Sequence, residues 1–436
     1  MDKNVKNKIK TIILFLVIRT VYLSLGIQVL SVEIYSASAS GGFDINYNIG
    51  KDIIAIILFL IVSLFYVCFN DNEDFNSVIN EIFFVIYYIP VNVSFSLNDR
   101  TYLYCFLTNL YYVLTAVMIN RASRRLNRYT AVNLRVNYKL LRFVCFVICL
   151  LLIIYKVNTN GFNVVLGFDS DTVYGNRSKY ISSLGNGVLA YLFRLVVVHC
   201  AGFLAPVYLY LSLKRKYIID GMLAVMCIIS RYSLTYEKSV ILWLPLVIFA
   251  YFVCEVKKCS LKRVFIHAFS YGLILLEIIY KFFSDSSIYY LIARRLMFVP
   301  AWLNGMYYSY FSCNQKIWFS RDAIFLETII PDMYGKSHLS LISEHFFNGM
   351  TSSPNTGMFA EAYSQAGIFG ICIFPVIYYV LFYFMELTYK PLGKGIEFVS
   401  AGIIAITMTN TFLLSRGTFF TIVISSAIVF FFSRQT

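Results

Sequence analysis

Charge is scarce in this chain. Only 14% of its 436 residues are Asp, Glu, Lys or Arg, where a soluble protein carries about a quarter. That shortfall excludes a water-facing globular surface of this size. Several chemical signatures are missing as well. No glycine-rich loop ends in Lys-Ser/Thr, no His-Glu-x-x-His occurs, and no Cys-x-x-Cys occurs, so no metal or soluble cofactor is implied. Asp169-Ser-Asp171 has the spacing of a carboxylate pair, but it sits in a Gly/Asn/Ser-rich stretch that reads as an ordinary loop. No small-residue cleavage site follows the basic Met1–Lys10 segment, so the first apolar run reads as an anchor rather than a signal peptide. No internal repeat relates the two halves, which speaks against a transporter built from two repeated bundles.

What is abundant is apolar surface. Hydrophobic residues make up 59% of the chain, with a mean hydropathy of +0.70, and they come in runs long enough to cross roughly 30 Å of hydrocarbon as helices. The runs predict an all-α polytopic membrane protein of about twelve transmembrane helices, near 11–30, 52–69, 78–97, 102–119, 143–156, 187–213, 217–232, 239–254, 264–283, 357–385, 397–414 and 417–433. Residues 1–283 hold the first nine, with a medium loop at 157–186; residues 284–356 form a large loop; residues 357–436 hold the last three. The whole is expected to be a single integrated membrane domain. Most of the ten cysteines fall inside the apolar runs, and only Cys313 lies in the large loop, so no disulfide is expected there. Cys145 and Cys149 share a helix face as small apolar residues.

The net charge of +14 could suggest nucleic acid, but its placement does not. Lys3, Lys6, Lys8 and Lys10 precede the first run, and Arg121, Arg124, Arg125, Arg128, Arg135, Lys139 and Arg142 fill one connection. Lys214–Lys216, Lys257, Lys258, Lys262, Arg263, Lys390, Lys394 and Arg434 fall on the same side if twelve spans are counted. This is the positive-inside pattern, and it predicts cytoplasmic termini, with 157–186 and 284–356 on the far side. The large loop is aromatic, with Trp302, Trp318 and the run Met306–Phe311. It is expected to form short amphipathic helices at the membrane interface.

Four features could carry chemistry. Arg294-Arg295 lies just past the ninth span, on the side where arginine is disfavoured. Guanidinium forks there fit either phosphate oxygens or lipid headgroups reached by snorkelling. His338 and His345 stand in the large loop, and imidazole exchanges protons most readily near neutral pH; either is also an ordinary surface residue on its own. His199 and His267 read as packing residues. Glu361 begins the tenth span, within Ala360-Glu361-Ala362-Tyr363, where an ionisable group needs a partner or a task. Arg177, Arg194, Arg321 and Arg416 are distributed over the outer half, and their convergence would make a polyanion pocket. Arg19 and Glu277 lie within spans.

The whole chain resembles the Wzy-type O-antigen polymerases, the oligosaccharide repeat-unit polymerases of the bacterial inner membrane. The likeness rests on the span count, the two far-side loops, Arg294 and Gly305 with ten residues between them, and Ala360–Tyr363 followed by Gly367 and Gly370. A second such arginine–glycine spacing is expected from Arg177, but the matching position is Val188. The resemblance implies a membrane glycosyltransferase (GT-C-like) architecture and no cofactor. It implies polymerisation of undecaprenyl-diphosphate-linked repeat units by transfer of the growing glycan to a hydroxyl of an incoming unit. His338, Glu361 and Arg294 are then the expected catalytic residues, and Arg294, Arg295, Arg177, Arg321 and Arg416 the diphosphate ligands. The implied partners are lipid-linked oligosaccharides, membrane lipid, and a chain-length regulator and flippase of the same pathway, with no nucleic acid. An O-antigen ligase and a lipid-linked glycan flippase or transporter remain as alternatives.

Overall fold

The structure is a computed structural model that describes residues 3–30, 45–70, 74–129, 136–161, 193–235, 237–282, 298–324, 326–347 and 354–433. Arg177, Arg294, Arg295, the Asp169–Asp171 pair and most of 157–186 lie outside the described residues. The described residues form helices and no strand. In chain order these are α1 (Lys3–Leu30), α2 (Ile49–Phe69), α3 (Phe75–Leu97), α4 (Tyr102–Tyr129), α5 (Tyr138–Asn160), α6 (Leu195–Arg215), α7 (Ile218–Thr235), α8 (Ser239–Val256) and α9 (Leu261–Phe282). There follow the shorter α10 (Val299–Cys313) and α11 (His338–Phe346), then α12 (Phe359–Tyr389), α13 (Lys394–Asn410) and α14 (Arg416–Ser433).

Eleven of these helices are long and apolar enough to cross a membrane, and the chain is a multi-pass helical membrane protein. Each of the twelve expected spans overlaps a described helix, with 187–192 and 283 lying outside the described residues. The exception in length is 397–414, which corresponds to α13 with 17 residues, about 26 Å at ~1.5 Å per residue. The large segment 284–356 does contain two short helices among its described residues, α10 and α11. However, α10 departs from the expected interfacial form: Pro300–Tyr308 are all buried. A helix apolar on every side belongs inside a protein, not at an interface, and α10 is enclosed by neighbouring helices.

The chain forms two compact units. The first comprises Met1–Arg125, Lys262–Tyr383 and Thr407–Ser415, and the second Leu126–Leu261, Phe384–Ile406 and Arg416–Thr436. In the first unit the backbone of Asn46 and Asn48 bonds to Leu97 and Ser96 at 2.9 and 3.1 Å, joining the start of α2 to the finish of α3. At the same end, Thr101 reaches the Tyr308 hydroxyl of α10 at 3.3 Å, and Gly357 N–H reaches the Thr409 carbonyl at 3.2 Å. The opposite end brings the start of α9 to α2 and α3, where the Lys262 ammonium bonds to the Asn70 carbonyl and to Ser77 Oγ. Successive spans therefore alternate in direction through this unit.

A charged network ties the first three helices. Arg19 Nη2 donates to Asp52 at 2.6 Å and its Nε to Asn92 at 2.8 Å; Ser96 Oγ donates to Asp52 at 2.9 Å. Both members of the ion pair are buried, where an unpartnered charge is strongly disfavoured. Arg19 thus takes a structural partner. In the second unit, one end gathers Arg142 on Asp220 and Lys214 on Glu255 at 2.8 Å. Asn137 N–H joins α5 to the last residue of α14, the Ser433 carbonyl, at 2.6 Å. The basic clusters of that unit's connections therefore share an end.

α12 is not one straight rod. Ala366 (φ −146°, ψ 19°) and Gly367 (φ 60°, ψ −135°) leave helical geometry, and the bend is tight enough that a Cβ on Gly370 would lie 1.9 Å from the Ala362 carbonyl oxygen. Gly370→Ala is expected to lower the thermal unfolding midpoint of the detergent-solubilised protein, by about 1–3 kcal/mol of overpacking or more. Gly272→Ala, in α9 with open space around it, is expected to be neutral or slightly stabilising, by about 0.5–1 kcal/mol. Equal midpoints for Gly370→Ala and wild type would contradict the bend.

Candidate functional site

The break in α12 decides what is built beside it. A carbonyl in an unbroken helix is consumed by the N–H four residues on; at the break, Ser364 and Gln365 are released from that bond. Their oxygens accept the backbone N–H groups of Ile317 and Trp318 at 2.9 and 2.7 Å. The Gln365 side chain completes the clasp, accepting Phe319 N–H at 2.8 Å and donating to the Arg321 carbonyl at 3.2 Å. Ile324 N–H then bonds to the Leu414 carbonyl at 2.8 Å. Trp318, Phe319 and Asp322 all have positive φ, at 52°, 62° and 57°. For bulky residues such as Trp and Phe this conformation is costly, about 1 kcal/mol or more each, and the clasp offsets it.

The strapped segment delivers Asp322 to His338. Asp322 Oδ2 accepts both the His338 backbone N–H at 3.1 Å and ring Nδ1 at 2.5 Å. His338 is the first residue of α11, which is capped by Ser337 Oγ. The imidazole is only 6% exposed and stacks on Phe412, centroids 3.8 Å apart and planes within 7°. Burial alone would raise the Asp322 carboxyl; the His338 hydrogen bonds and the nearby Arg321 outweigh it and hold the group below its usual range. An ionised Asp322 can only accept, so Nδ1 carries the proton of that bond. This leaves Nε2 as the ring nitrogen for proton exchange.

Glu361 supports the same arrangement from the other side. It is fully buried, and its two carboxylate oxygens accept the backbone N–H groups of Leu413 and Leu414 at 2.7 and 2.8 Å. Those residues form the turn between α13 and α14, and the preceding residue is Phe412, on which His338 rests. With both oxygens occupied, Glu361 acts as a positioning residue for the turn and through it for His338. The start of α12 is held in turn by Asn304 and Tyr87, which accept the N–H groups of Ala360 and Phe359 at 3.0 and 3.1 Å.

His338, Glu361 and Arg321 thus fall in one unit and are linked through Asp322 and the 412–414 turn. Arg321 pairs with Asp332, and this contact in turn holds the Asp332 carboxyl below its usual range against the effect of burial. Arg416 belongs to the other unit, where it is exposed at the start of α14, and a Cβ on the next residue, Gly417, would lie 2.9 Å from His199 Cε1. His345 is exposed on α11 beside Tyr310. Among the described residues no group of three or more His, Cys, Asp or Glu side chains is placed to hold a metal. Sequence reasoning missed Asp322 altogether. The signal was present as an isolated carboxylate in an aromatic segment, 16 residues before His338, but only the break in α12 brings the two together. It also missed what Gly305 is for: a Cβ there would lie 2.8 Å from Arg100 Nε.

No protein-family model matches the chain, and neither does any curated protein or solved structure.

Because the folded Asp322 carboxyl lies below its unfolded value of about 3.9, its contribution to stability is fully present above that value and fades as pH falls through the folded one. Asp322→Asn is expected to lower the unfolding midpoint at pH 7, with the gap from wild type narrowing only below about pH 4. A gap already absent at pH 6 would contradict an ionised Asp322.

Proposed function

We propose that the protein is a glycan polymerase of the bacterial inner membrane, with GT-C-like architecture, cytoplasmic termini and an outward-facing site. It joins undecaprenyl-diphosphate-linked repeat units of O-antigen or a similar surface polysaccharide. The observation that carries this reading is the His338–Asp322 pair, a carboxylate-oriented imidazole at the start of α11, within the segment between the ninth span and α12. Its supports are the multi-pass helical architecture, the alternation of basic connections, and the arginines of the same segment.

In the reaction, an acceptor hydroxyl of the incoming unit attacks the anomeric carbon of the growing glycan. The new C–O bond forms as the bond to the carrier phosphate breaks, and the undecaprenyl diphosphate leaves with the electron pair. His338 Nε2 takes the hydroxyl proton, and Asp322 stabilises the imidazolium that results. Arg294 and Arg295, which stand in sequence immediately before α10, neutralise the charge that develops on the departing diphosphate. Arg321, in the same segment, adds to the cationic environment. Glu361 acts through the turn it holds.

A deletion strain, read on a lipopolysaccharide gel, is expected to show core carrying a single repeat unit. Bare core with polymer left on its carrier would indicate a ligase; a normal ladder would rule out the polymerase. Plasmid-borne Arg294→Ala and His338→Ala are expected to insert normally yet lose the ladder, each through a rate loss of about 100-fold or more. A wild-type ladder would remove that residue from the chemistry. Orientation has its own test. Cys313 and Cys259 are both exposed, and in single-cysteine versions a membrane-impermeant maleimide added to spheroplasts is expected to label Cys313 and spare Cys259. The reverse pattern would invert the topology.

A further inference from the structure

Among the described residues, two cations at the α10 end of the first unit have no carboxylate within ion-pair distance. Arg100, in the short connection between α3 and α4, donates from Nη1 to Ser309 Oγ at 2.5 Å, and its Nε is buried without a hydrogen-bond partner. Its neighbour Asp99 is engaged elsewhere, with Lys51 at 2.9 Å. Lys316 gives its ammonium to the carbonyls of Phe311 and Asn314. Among the described residues neither cation has a carboxylate partner, and burial pushes both below their usual values. A charge held half out of water, hydrogen-bonded only to neutral oxygens, favours the approach of an anion.

A pair of aromatic residues links their surroundings. Tyr308 and Tyr363, both buried, lie with ring centroids 5.0 Å apart and planes tilted by 38°. Arg100 adjoins the Tyr308 side through Ser309 and Thr101, whose Oγ meets the Tyr308 hydroxyl at 3.3 Å. The Lys316 ammonium stands 5.1 Å from the Tyr363 ring centroid. Each cation also passes over a glycine. A Cβ on Gly305 would lie 2.8 Å from Arg100 Nε, and one on Gly367 would lie 3.1 Å from Lys316 Cε. The two glycines that marked the sequence are therefore seats for these side chains.

We propose that Arg100 and Lys316, beside the buried Tyr308–Tyr363 pair, bind a phosphate-bearing group. Guanidinium and ammonium neutralise the phosphate oxygens, and the aromatic surface excludes water beside them. That this group is a carrier diphosphate rests on the polymerase reading; an anionic lipid headgroup offers the same chemistry, and the binding itself depends on neither.

The test uses the full-length protein in phosphatidylcholine nanodiscs with inorganic pyrophosphate as the probe, followed by calorimetry. Wild type is expected to bind saturably, and Arg100→Gln and Lys316→Gln to weaken binding about tenfold or more. Arg100→Lys is expected to retain part of it. Gly305→Ala, which displaces Arg100 without removing charge, is expected to weaken binding as Arg100→Gln does. Unfolding midpoints of each variant in the same discs separate lost binding from lost fold. If pyrophosphate does not bind but phosphatidylglycerol, supplied in the discs, is retained by wild type and lost from both glutamine variants in native mass spectrometry, the site stands with a headgroup as its ligand. Variants that fold and bind either probe as wild type does would overturn the proposal, as would a wild type that binds neither. Since no polymer is formed in this assay, its outcome and that of the deletion strain are independent.

Discussion

A helix that stops being a helix for two residues leaves carbonyls with nothing to bond, and in this protein those carbonyls organise the candidate site. The break at Ala366–Gly367 frees Ser364 and Gln365, which take up the backbone of Ile317 and Trp318. That attachment holds a segment in conformations its residues would otherwise avoid. It places Asp322 under His338, while Glu361, on the first turn of the same helix, fixes the turn that carries Phe412. The break also serves the opposite face, because Gly367 leaves room for the stem of Lys316. Backbone strain, hydrogen-bond satisfaction and side-chain placement thus share one cause.

The membrane explains why such devices are needed. In a low-dielectric interior an ionisable group is kept where it has a partner, as two of the first unit show: Arg19 has Asp52, and Glu361 has two backbone N–H groups. Against that background the residues that lack such compensation stand apart. Arg100 and Lys316 hydrogen-bond to neutral oxygens and have no carboxylate within ion-pair distance among the described residues, which is how a site that awaits an anion differs from one that only holds helices together.

The architecture was legible in the sequence because hydrophobic runs and charge placement act over whole segments. Even the short spans at 143–156 and 217–232 coincide with α5 and α7. The site was legible only in its residue types. Glu361 and His338 were visible as ionisable groups in unusual places, but Glu361 reads differently once both its oxygens are seen to be occupied. Asp322 carried no pattern of its own, since its role depends on a bond between segments about 45 residues apart along the chain. For α10, aromatic richness suggested an interface, yet it equally describes a helix enclosed by others, and only packing separates the two. Gly305 was noticed for its spacing from Arg294; the structure gives it a partner in Arg100, far away in sequence.

The central claim is that this chain alone joins lipid-linked repeat units. The most direct measurement supplies purified protein in proteoliposomes with undecaprenyl-diphosphate-linked repeat units and nothing else, then resolves the products by size. The account expects a ladder of oligomers on the carrier, with one undecaprenyl diphosphate released for each unit added. Units that stay single, or that only cross the bilayer unchanged, would contradict it.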